Sequence, residues 1–426
     1  MAEIQQKPIC DGVEFRSIQD ARFKTMRIAV NFMLPMTKET AAANALLPFL
    51  LSRASREYPD FTKLGERLSE LYGADLSADV QKLGDVQMLS ICAVGMADQY
   101  ALEGENISRE LSGLLRSVIF DPPLENGLFP QDGFEQEKRQ TVELIEAEFN
   151  DKRIYAKQRC EQIMCAGEPY GISRFGGKDE VLGLKREELT PAWKNMLEHA
   201  RAEVMVLGNC DPNPVFEEFR DAFCAVKRGL IADCETSFTE ASSEVDCQTE
   251  KMSVAQSKLV MGFKTGKASE EETMALRLAS AIFGGTPHSK LFLNVREKLS
   301  LCYYCSARYN WNKGILLVES GVETQNIDRA VAEILNQLDE VKKGNFDEEE
   351  IKAAKLSMCN SFRTVGDYLG AMENWYVTQT FCEKIMTPEQ AADAVNAVTK
   401  EQIVEAARRI KLDTEYRLVG SGEEAE

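Results

Sequence analysis

An arginine and a tyrosine, Arg296 and Tyr303, stand where a helical pattern becomes a strand pattern in the stretch HSKLFLNVREKLSLCYYCSARY, residues 288–309. Arginine carries a permanent positive charge and several N–H donors that suit carbonyl oxygens. A tyrosine hydroxyl can donate a hydrogen bond to an oxyanion as the charge develops. The two residue types could therefore grip a peptide-like group. A helix-end cation next to a core tyrosine would show the same sequence.

Two cysteines in the same stretch, Cys302 and Cys305, form a Cys-x-x-Cys motif. A structural zinc site would need a second pair at similar spacing, and CEQIMC (160–165) does not supply one. A redox pair usually lies at a helix N-terminus. This motif falls in a predicted strand, where residues three apart face opposite sides. The pattern predicts two structural thiols.

Composition limits the classes of partner. The 426 residues are 44% hydrophobic and 28% charged, which is typical of a soluble globular protein with more than one core. A formal net charge of -19 disfavours binding to nucleic acid or to an anionic membrane surface. The N-terminus MAEIQQKPIC lacks the pattern of a signal peptide, and no apolar stretch approaches the roughly 20 residues of a membrane span. The 12 cysteines lack the spacing of a disulfide framework, so we expect a cytoplasmic protein with reduced thiols.

The order of predicted elements occurs twice along the chain. An alternating strand opens each copy: MRIAVNFML (26–34) in the first and SKLVMGFK (257–264) in the second. Each is followed by two helices, two strands, a long helix, and a closing helix and strand. The first copy has an additional loop, DPPLENGLFPQDG (121–133).

This repeat predicts an α+β fold made of two homologous halves, each a mixed, mostly antiparallel sheet covered by helices. We expect the halves to span residues 1–226 and 251–426, with the polar stretch 227–250 as a linker. Two similar halves joined in this way are expected to face each other as a clam shell, with the ligand chamber between them.

The stretch FGGTPHSKLFLNVREKLSLCYY resembles the C-terminal motif of the pitrilysin/insulinase family of zinc peptidases. In that family a Ser-Arg-Leu-Phe helix runs into Arg-Glu-x-x-x-Leu-x-Tyr; here Lys290 replaces the first arginine. The resemblance extends over nearly the whole chain, because the duplicated halves match as well. It implies that Arg296 and Tyr303 bind a peptide substrate and help to polarise its scissile carbonyl.

Catalytic members of the family carry His-x-x-Glu-His on the first helix of the N-terminal half, with two zinc ligands and a general base. Aligned on that helix, Ala45 and Phe49 take the places of the histidines and Pro48 that of the glutamate. Glu137 matches an outer glutamate of a later helix, whereas Leu144 stands at the last ligand position.

We therefore expect no zinc site, no metal and no other cofactor in this chain. The chain has two histidines, His199 and His288, and neither precedes residue 199. His199 is predicted to cap or pack near a helix end. Without a metal, Glu137 is expected to be structural.

Some members of the family divide the work between two chains, one with the zinc and one with the arginine–tyrosine pair. The mitochondrial processing peptidase and bacterial two-subunit relatives follow this plan. The present chain resembles the non-catalytic subunit, and it lacks the long glycine-rich loop of the mitochondrial subunit, so a bacterial relative fits better. This implies that the chain is inactive alone and binds peptide beside a zinc-binding partner of similar length that carries His-x-x-Glu-His.

Two other interpretations stay open. A catalytically dead scaffold or assembly protein could have kept the same fold. An unrelated enzyme could also use it, although the sequence shows no nucleophile–base pair in support. Retention of both Arg296 and Tyr303 favours the substrate-binding subunit.

Overall fold

The structure, a computed structural model, describes residues 4–420 of the chain. Strands and helices alternate within this range. The strands are β1 Ile4–Cys10, β2 Val13–Gln19, β3 Thr25–Pro35, β4 Asp75–Leu83, β5 Val86–Met96, β6 Arg201–Gly208, β7 Asp246–Met252, β8 Ser257–Lys264, β9 Cys302–Asn310, β10 Ile315–Val322 and β11 Lys411–Gly420.

Most of the covering layers are α-helical, and two π-helical segments interrupt the second half. The α-helices are α1 Lys38–Leu51, α2 Phe61–Glu70, α3 Ile107–Phe120, α4 Gln131–Asn150, α5 Lys152–Met164, α6 Lys178–Gly183, α7 Arg186–His199, α8 Pro212–Ala225, α9 Glu270–Ser280, α10 Ile327–Lys343, α11 Glu348–Thr364, α12 Leu369–Val377, α13 Pro388–Ala397 and α14 Lys400–Arg408. The π-helical segments are Ala281–Gly285 and Leu291–Lys298. None of the helices in the described part of the chain is long and apolar enough to cross a membrane.

The two sheets share one strand order. The first runs β1-β2-β6-β3-β5-β4 and the second runs β7-β11-β8-β10-β9, so the second repeats the first without its edge strand β1. In each sheet one neighbouring pair is parallel, β2 with β6 and β7 with β11, and the other pairs are antiparallel. This arrangement confirms the α+β fold with two mixed, mostly antiparallel sheets, and it supports the internal duplication.

The compact units of the structure exchange a helix. One unit contains residues 4–146, Ile172–Glu235 and Gly366–Phe381, and the other contains Ala147–Gly171, Thr236–Val365 and 382–420. Helix α5 follows α4 and packs on β8 and β11, whereas α12 follows α11 and packs on β3 and β6. Strands β3 and β6 of the first sheet are equivalent to β8 and β11 of the second. Each half of the chain therefore contributes one helix, the one after its long helix, to the sheet of the other half.

The predicted domain boundaries do not contain this exchange and stay a prediction. They follow chain order, whereas each compact unit takes one segment from the other half. Strand β7 begins at Asp246, so the end of the predicted linker 227–250 is strand. The link between α3 and α4 is longer than the equivalent link between α10 and α11, as the predicted loop at 121–133 requires.

Burial of both faces of β3 shows how the sheet receives helices on two sides. Its even-numbered residues Ile28, Val30 and Phe32 are fully buried in a core shared with α1, α3 and α8, as the alternating pattern predicts. Its odd-numbered residues Arg27 and Asn31 instead bond the Glu373 carboxylate on α12. Helix α12 therefore covers the face of the sheet opposite to α1, α3 and α8.

A buried ion pair fixes α12 to this sheet. Arg16 Nη1 on β2 lies 2.9 Å from Glu203 Oε1 on β6, and both side chains are almost fully buried. The Thr380 hydroxyl donates to the other oxygen of Glu203 at 2.6 Å. Arg16 Nη1 also donates to the carbonyl of Tyr376 at 3.4 Å. Removal of either ion would leave the other charge buried without its partner, which is costly.

Two contacts hold α5 on the second sheet: hydrogen bonds from two tyrosine hydroxyls to Glu250, and close packing of the helix on Gly262. The hydroxyls of Tyr155 on α5 and Tyr416 on β11 donate to the two oxygens of Glu250, at 2.8 and 2.6 Å. Gly262 on β8 lies against the helix, and a Cβ atom there would stand 2.7 Å from Met164 Sδ. A side chain at this position would push the helix away from the strand.

Candidate functional site

The motif of the second half is built on the two π-helical segments. These segments flank residues 286–290, and π-helical turns within α-helical runs are frequent at functional sites. Phe283, Leu291 and Val295 are fully buried and anchor both segments. The buried Lys290 carries its ammonium to Glu350 Oε1 at 3.1 Å, which explains why a cation is present at the place of the family's arginine.

Gly284 lets the first π-helical segment touch strand β9. A Cβ atom at this position would lie 2.8 Å from the backbone nitrogen of Ala307 and 2.6 Å from Leu291 Cδ1. Both distances are shorter than real carbon contacts. The paired glycines of FGGTP thus serve backbone packing next to the motif.

Arg296 lies in the last turn of the second π-helical segment. The Leu301 N–H donates to the Val295 carbonyl at 3.1 Å, which turns the chain from this segment directly into β9. The Arg296 guanidinium lies 4.6 Å from the centre of the Phe292 ring, an arrangement that holds it by a cation–π contact. Its ion pair with Glu297 is long, at 3.5 Å, and its side chain is 39% exposed. The guanidinium is therefore positioned and still open to a ligand.

Tyr303 occupies a β-bulge on an edge strand. Strand β9 pairs with β10 alone, and the register jumps from Cys302 opposite Val322 to Tyr304 opposite Gly321. Tyr303 is the additional residue of this bulge. Bulges are common beside active sites, where they redirect a side chain. Tyr303 is 64% exposed, and its hydroxyl makes no hydrogen bond with any residue in the range 4–420.

The turn between the second π-helical segment and β9 brings the backbone near Arg296 close to the backbone near Tyr303. Arg296 directly follows Val295 and Tyr303 comes two residues after Leu301, and these two anchor residues are hydrogen-bonded. The Arg296 charge also acts on the thiol of Cys302, the residue before Tyr303. The structure thus places the predicted pair at one end of β9. Their role as a substrate-binding pair stays a prediction.

The bulge also changes the geometry of Cys302 and Cys305. Both thiols are buried, and their partners Val322 and Ser320 are two residues apart on β10, so Cys302 and Cys305 lie on the same face of the sheet. The prediction that they face opposite sides of the strand is wrong, because the additional residue in the bulge shifts the alternation by one. The interaction with the neighbouring Cys305 thiol lowers the pKa of Cys302 to about 7, and the same interaction together with burial raises the pKa of Cys305 well above its usual value.

Helix α1 contains the three positions aligned with two zinc ligands and the general base of catalytic family members. In this chain the side chains at these positions pack in or against the core. Ala45 is fully buried in the core of the first sheet, and Pro48 is buried within the helix. Phe49 is partly buried and packs against the same core. None of these side chains offers an electron pair for a cation. Leu144 on α4, at the last ligand position, is 42% exposed and equally apolar.

An ion pair stands beside these positions. Arg53, just after α1, donates from Nη1 to Glu137 Oε1 at 2.6 Å and from Nη2 to Gln136 Oε1 at 3.0 Å. Burial raises the pKa of the Glu137 carboxyl, and the bond from Arg53 acts against this rise. Glu137 therefore binds a side-chain cation of its own chain. The sequence analysis assigned Glu137 a structural role and did not find Arg53, although a cation at the end of α1 was a visible signal.

The residues present at the predicted metal positions do not fit zinc. Between residues 4 and 420, no three His, Cys, Asp or Glu side chains lie together in an arrangement that could hold a metal ion. His199 is the last residue of α7, and its Nδ1 lies 2.9 Å from the carbonyl oxygen of Leu230. His288 is exposed in the turn between the π-helical segments.

Comparison with known proteins gives one consistent answer. A family described as "Peptidase M16 inactive domain" matches residues 183–358. The "Probable inactive metalloprotease YmfF" of Bacillus subtilis is 29% identical over 411 residues, which cover 96% of both chains.

Solved structures extend the similarity to the whole fold. A conserved protein from Enterococcus faecalis has a TM-score of 0.90 and 28% identity, with 99% of this chain and 100% of that chain covered. The peptidase M16 inactive domain from Pseudomonas fluorescens has a TM-score of 0.78 and 15% identity, with 100% of this chain and 99% of that chain covered, and it supports the fold. Together with the degenerate metal positions, these matches show that the chain resembles the inactive-type proteins of the pitrilysin/insulinase family, peptidase family M16.

Proposed function

We propose that this chain is the non-catalytic, peptide-binding subunit of a heteromeric zinc endopeptidase. The observation that carries the proposal is the exposed hydroxyl of Tyr303, presented by a bulge next to the positioned guanidinium of Arg296. The zinc positions of the same chain are filled by core side chains. A partner of similar length with His-x-x-Glu-His would supply the metal.

The chemistry of the pair suits a peptide bond in reaction. The guanidinium offers fixed donors to backbone carbonyls in the ground state. The tyrosine hydroxyl can donate to the oxyanion that forms on the scissile carbonyl. Neither group needs a neighbouring base for this role.

Reconstitution with the partner tests the proposal. Co-purification from the native host should recover a second chain that carries His-x-x-Glu-His. In the complex, Tyr303→Phe should lower kcat by about 10²–10³, the usual effect of losing one oxyanion donor, and kcat/KM should fall equally. Arg296→Ala should raise KM as well, because the guanidinium also holds the bound substrate.

The matched control is Tyr368→Phe, which removes a hydroxyl from another exposed tyrosine, 70% accessible. This variant should keep wild-type rates. Full activity of Tyr303→Phe in a complex with an active zinc subunit would contradict the proposal. Repeated recovery of a monomer or homodimer without such a partner would favour the scaffold alternative.

A further inference from the structure

The dithiol at the bulge lies beside the candidate peptide-binding residues and has no part in the proposed function. Cys302 is the last residue before the bulge, and Cys305 pairs with Ser320 on β10. The register with Val322 and Ser320 places the two cysteines on one face of the strand, on either side of Tyr303 in the chain. Because β9 is an edge strand, no further strand covers this end of the sheet.

We propose that Cys302 and Cys305 are a site of reversible oxidation that closes to an intrachain disulfide and displaces Tyr303 from its bulge. Formation of the disulfide is independent of the proposed function. The consequence for peptide binding rests on it.

The reaction balances with a small disulfide such as glutathione disulfide. The Cys302 thiolate attacks one sulfur of the reagent and releases one glutathione thiolate, which leaves a mixed disulfide. Cys305 then loses its proton, attacks the Cys302 sulfur and releases the second glutathione. The dithiol gives up two electrons and two protons, and two glutathione thiols are formed.

Cys302 has the properties of the attacking group. The thiolate is the nucleophile in exchange, and the attacking thiol works best when its pKa lies near the ambient pH. Burial is incomplete at Cys302, which retains 8% of its accessible surface, whereas Cys305 retains 4%. The positive charge of Arg296 acts on the same thiol.

A disulfide between Cys302 and Cys305 would displace Tyr303 because it requires a shorter distance between their Cα atoms. Residues 302–305 lie opposite residues 320–322, so the bulge compresses three residue steps into the length of two, roughly 7 Å. A disulfide requires Cα atoms about 4.4–6.8 Å apart. Closure must therefore shorten residues 302–305 further, and it does so at the bulge, where the ladder with β10 is already interrupted. A bridge formed in this way is strained and so easily reduced, as regulatory disulfides are.

A second cysteine pair in the chain serves as the internal control. Cys160 and Cys165 lie on and next to α5, and burial raises the pKa of Cys165 to about 12 and that of Cys160 well above its usual value. These thiols should remain reduced under conditions that oxidise the pair on β9.

Mass spectrometry of the whole chain tests the bridge. The reduced protein is equilibrated with graded ratios of reduced and oxidised glutathione in the presence of EDTA, quenched with an alkylating agent and digested with trypsin. The peptide 299–308 contains both cysteines and should lose two hydrogen atoms and both alkyl groups, while Cys160 and Cys165 stay alkylated. Cys305→Ser should stop at a glutathione adduct on Cys302, and Cys302→Ser should react at least tenfold more slowly. A peptide that stays a dithiol, or a wild-type chain that stops at the adduct, overturns the proposal.

Activity of the reconstituted complex tests the displacement. Oxidation should reduce kcat/KM of the wild type at least tenfold, reduction should restore it, and a complex that carries both Cys302→Ser and Cys305→Ser should be insensitive. A disulfide without loss of activity, in a complex that Tyr303→Phe inactivates, would refute displacement and leave the proposed function standing. If Tyr303→Phe itself has no effect, the proposed function fails and the disulfide is judged on the mass alone.

Discussion

Arg53 and Glu137 form an ion pair, 2.6 Å from Nη1 to Oε1, next to the helix positions at which catalytic relatives are expected to bind zinc. Their side chains are 21% and 7% exposed, so solvent screens the pair only in part. The cation that pairs with Glu137 in this region is thus an arginine of the chain itself.

We expect Arg53→Ala to destabilise the chain by about 1–3 kcal/mol at neutral pH, because it leaves a mostly buried carboxylate without its donor. In the background of Glu137→Gln the same substitution should cost clearly less. Urea unfolding of the four proteins of this double-mutant cycle measures the difference. Equal costs in both backgrounds would show that the two side chains do not stabilise each other.

The deficit of Arg53→Ala should shrink as the pH is lowered. The Glu137 pKa is raised above its ordinary value of 4.5 in the folded chain, and loss of Arg53 raises it further. The folded variant then binds a proton more tightly than the unfolded one, so its stability increases as the pH falls from the raised pKa towards 4.5. Unfolding curves at neutral pH and near pH 5 check the sign.

The purified chain should contain far less than one zinc per molecule and should cleave no peptide alone. Ala45, Pro48, Phe49 and Leu144 provide no ligand, and zinc requires nitrogen, sulfur or carboxylate donors. Elemental analysis after exposure to excess zinc and gel filtration measures this. One retained zinc per chain, displaced from the first half by a chelator, would contradict the assignment of these positions.

Arg16→Ala should cost about 3–5 kcal/mol, because it leaves the Glu203 carboxylate buried and without its ion partner. Arg408→Ala is the control: Arg408 pairs with Glu405 at the surface, their side chains are 62% and 74% exposed, and the loss should cost less than about 1 kcal/mol. Hydrogen exchange should also accelerate in residues 369–377 of the first variant. Equal unfolding free energies for the two variants would refute the anchoring role of Arg16.

Gly284→Ala should destabilise the chain by about 1–3 kcal/mol, since the new methyl group would overlap the backbone of Ala307 and the Leu291 side chain. Gly113→Ala on α3 meets no atom within 4 Å and should stabilise the helix by about 0.5–1 kcal/mol. Thermal unfolding of both variants gives the comparison. A neutral Gly284→Ala would mean that the first π-helical segment moves away from β9 at no cost.

Local patterns in the sequence predicted the elements of the fold well. The alternation of Ile28, Val30 and Phe32 gave the core face of β3 correctly, and the strand SKLVMGFK has the predicted bounds. Such features depend on neighbouring residues, which a single sequence displays.

Features that depend on distant residues were missed. Nothing near Arg27 indicates that Glu373, 346 residues away, accepts its hydrogen bond, so the exchange of α12 left no local pattern. The bulge at Tyr303 was also hidden, because a bulge is set by the register with β10. The wrong orientation predicted for Cys302 and Cys305 follows directly from that omission.

The exchange of α5 and α12 between the two sheets affects how the chain can fold during its synthesis on the ribosome. The sheet built from residues 4–208 receives its second covering helix only when residues 369–377 have emerged, after four of the five strands of the second sheet have been synthesised. A domain usually folds as a unit as soon as its own segment is available. Here the first half must wait with the Arg27 face of β3 uncovered, so co-translational folding of the two halves ends in a single late step.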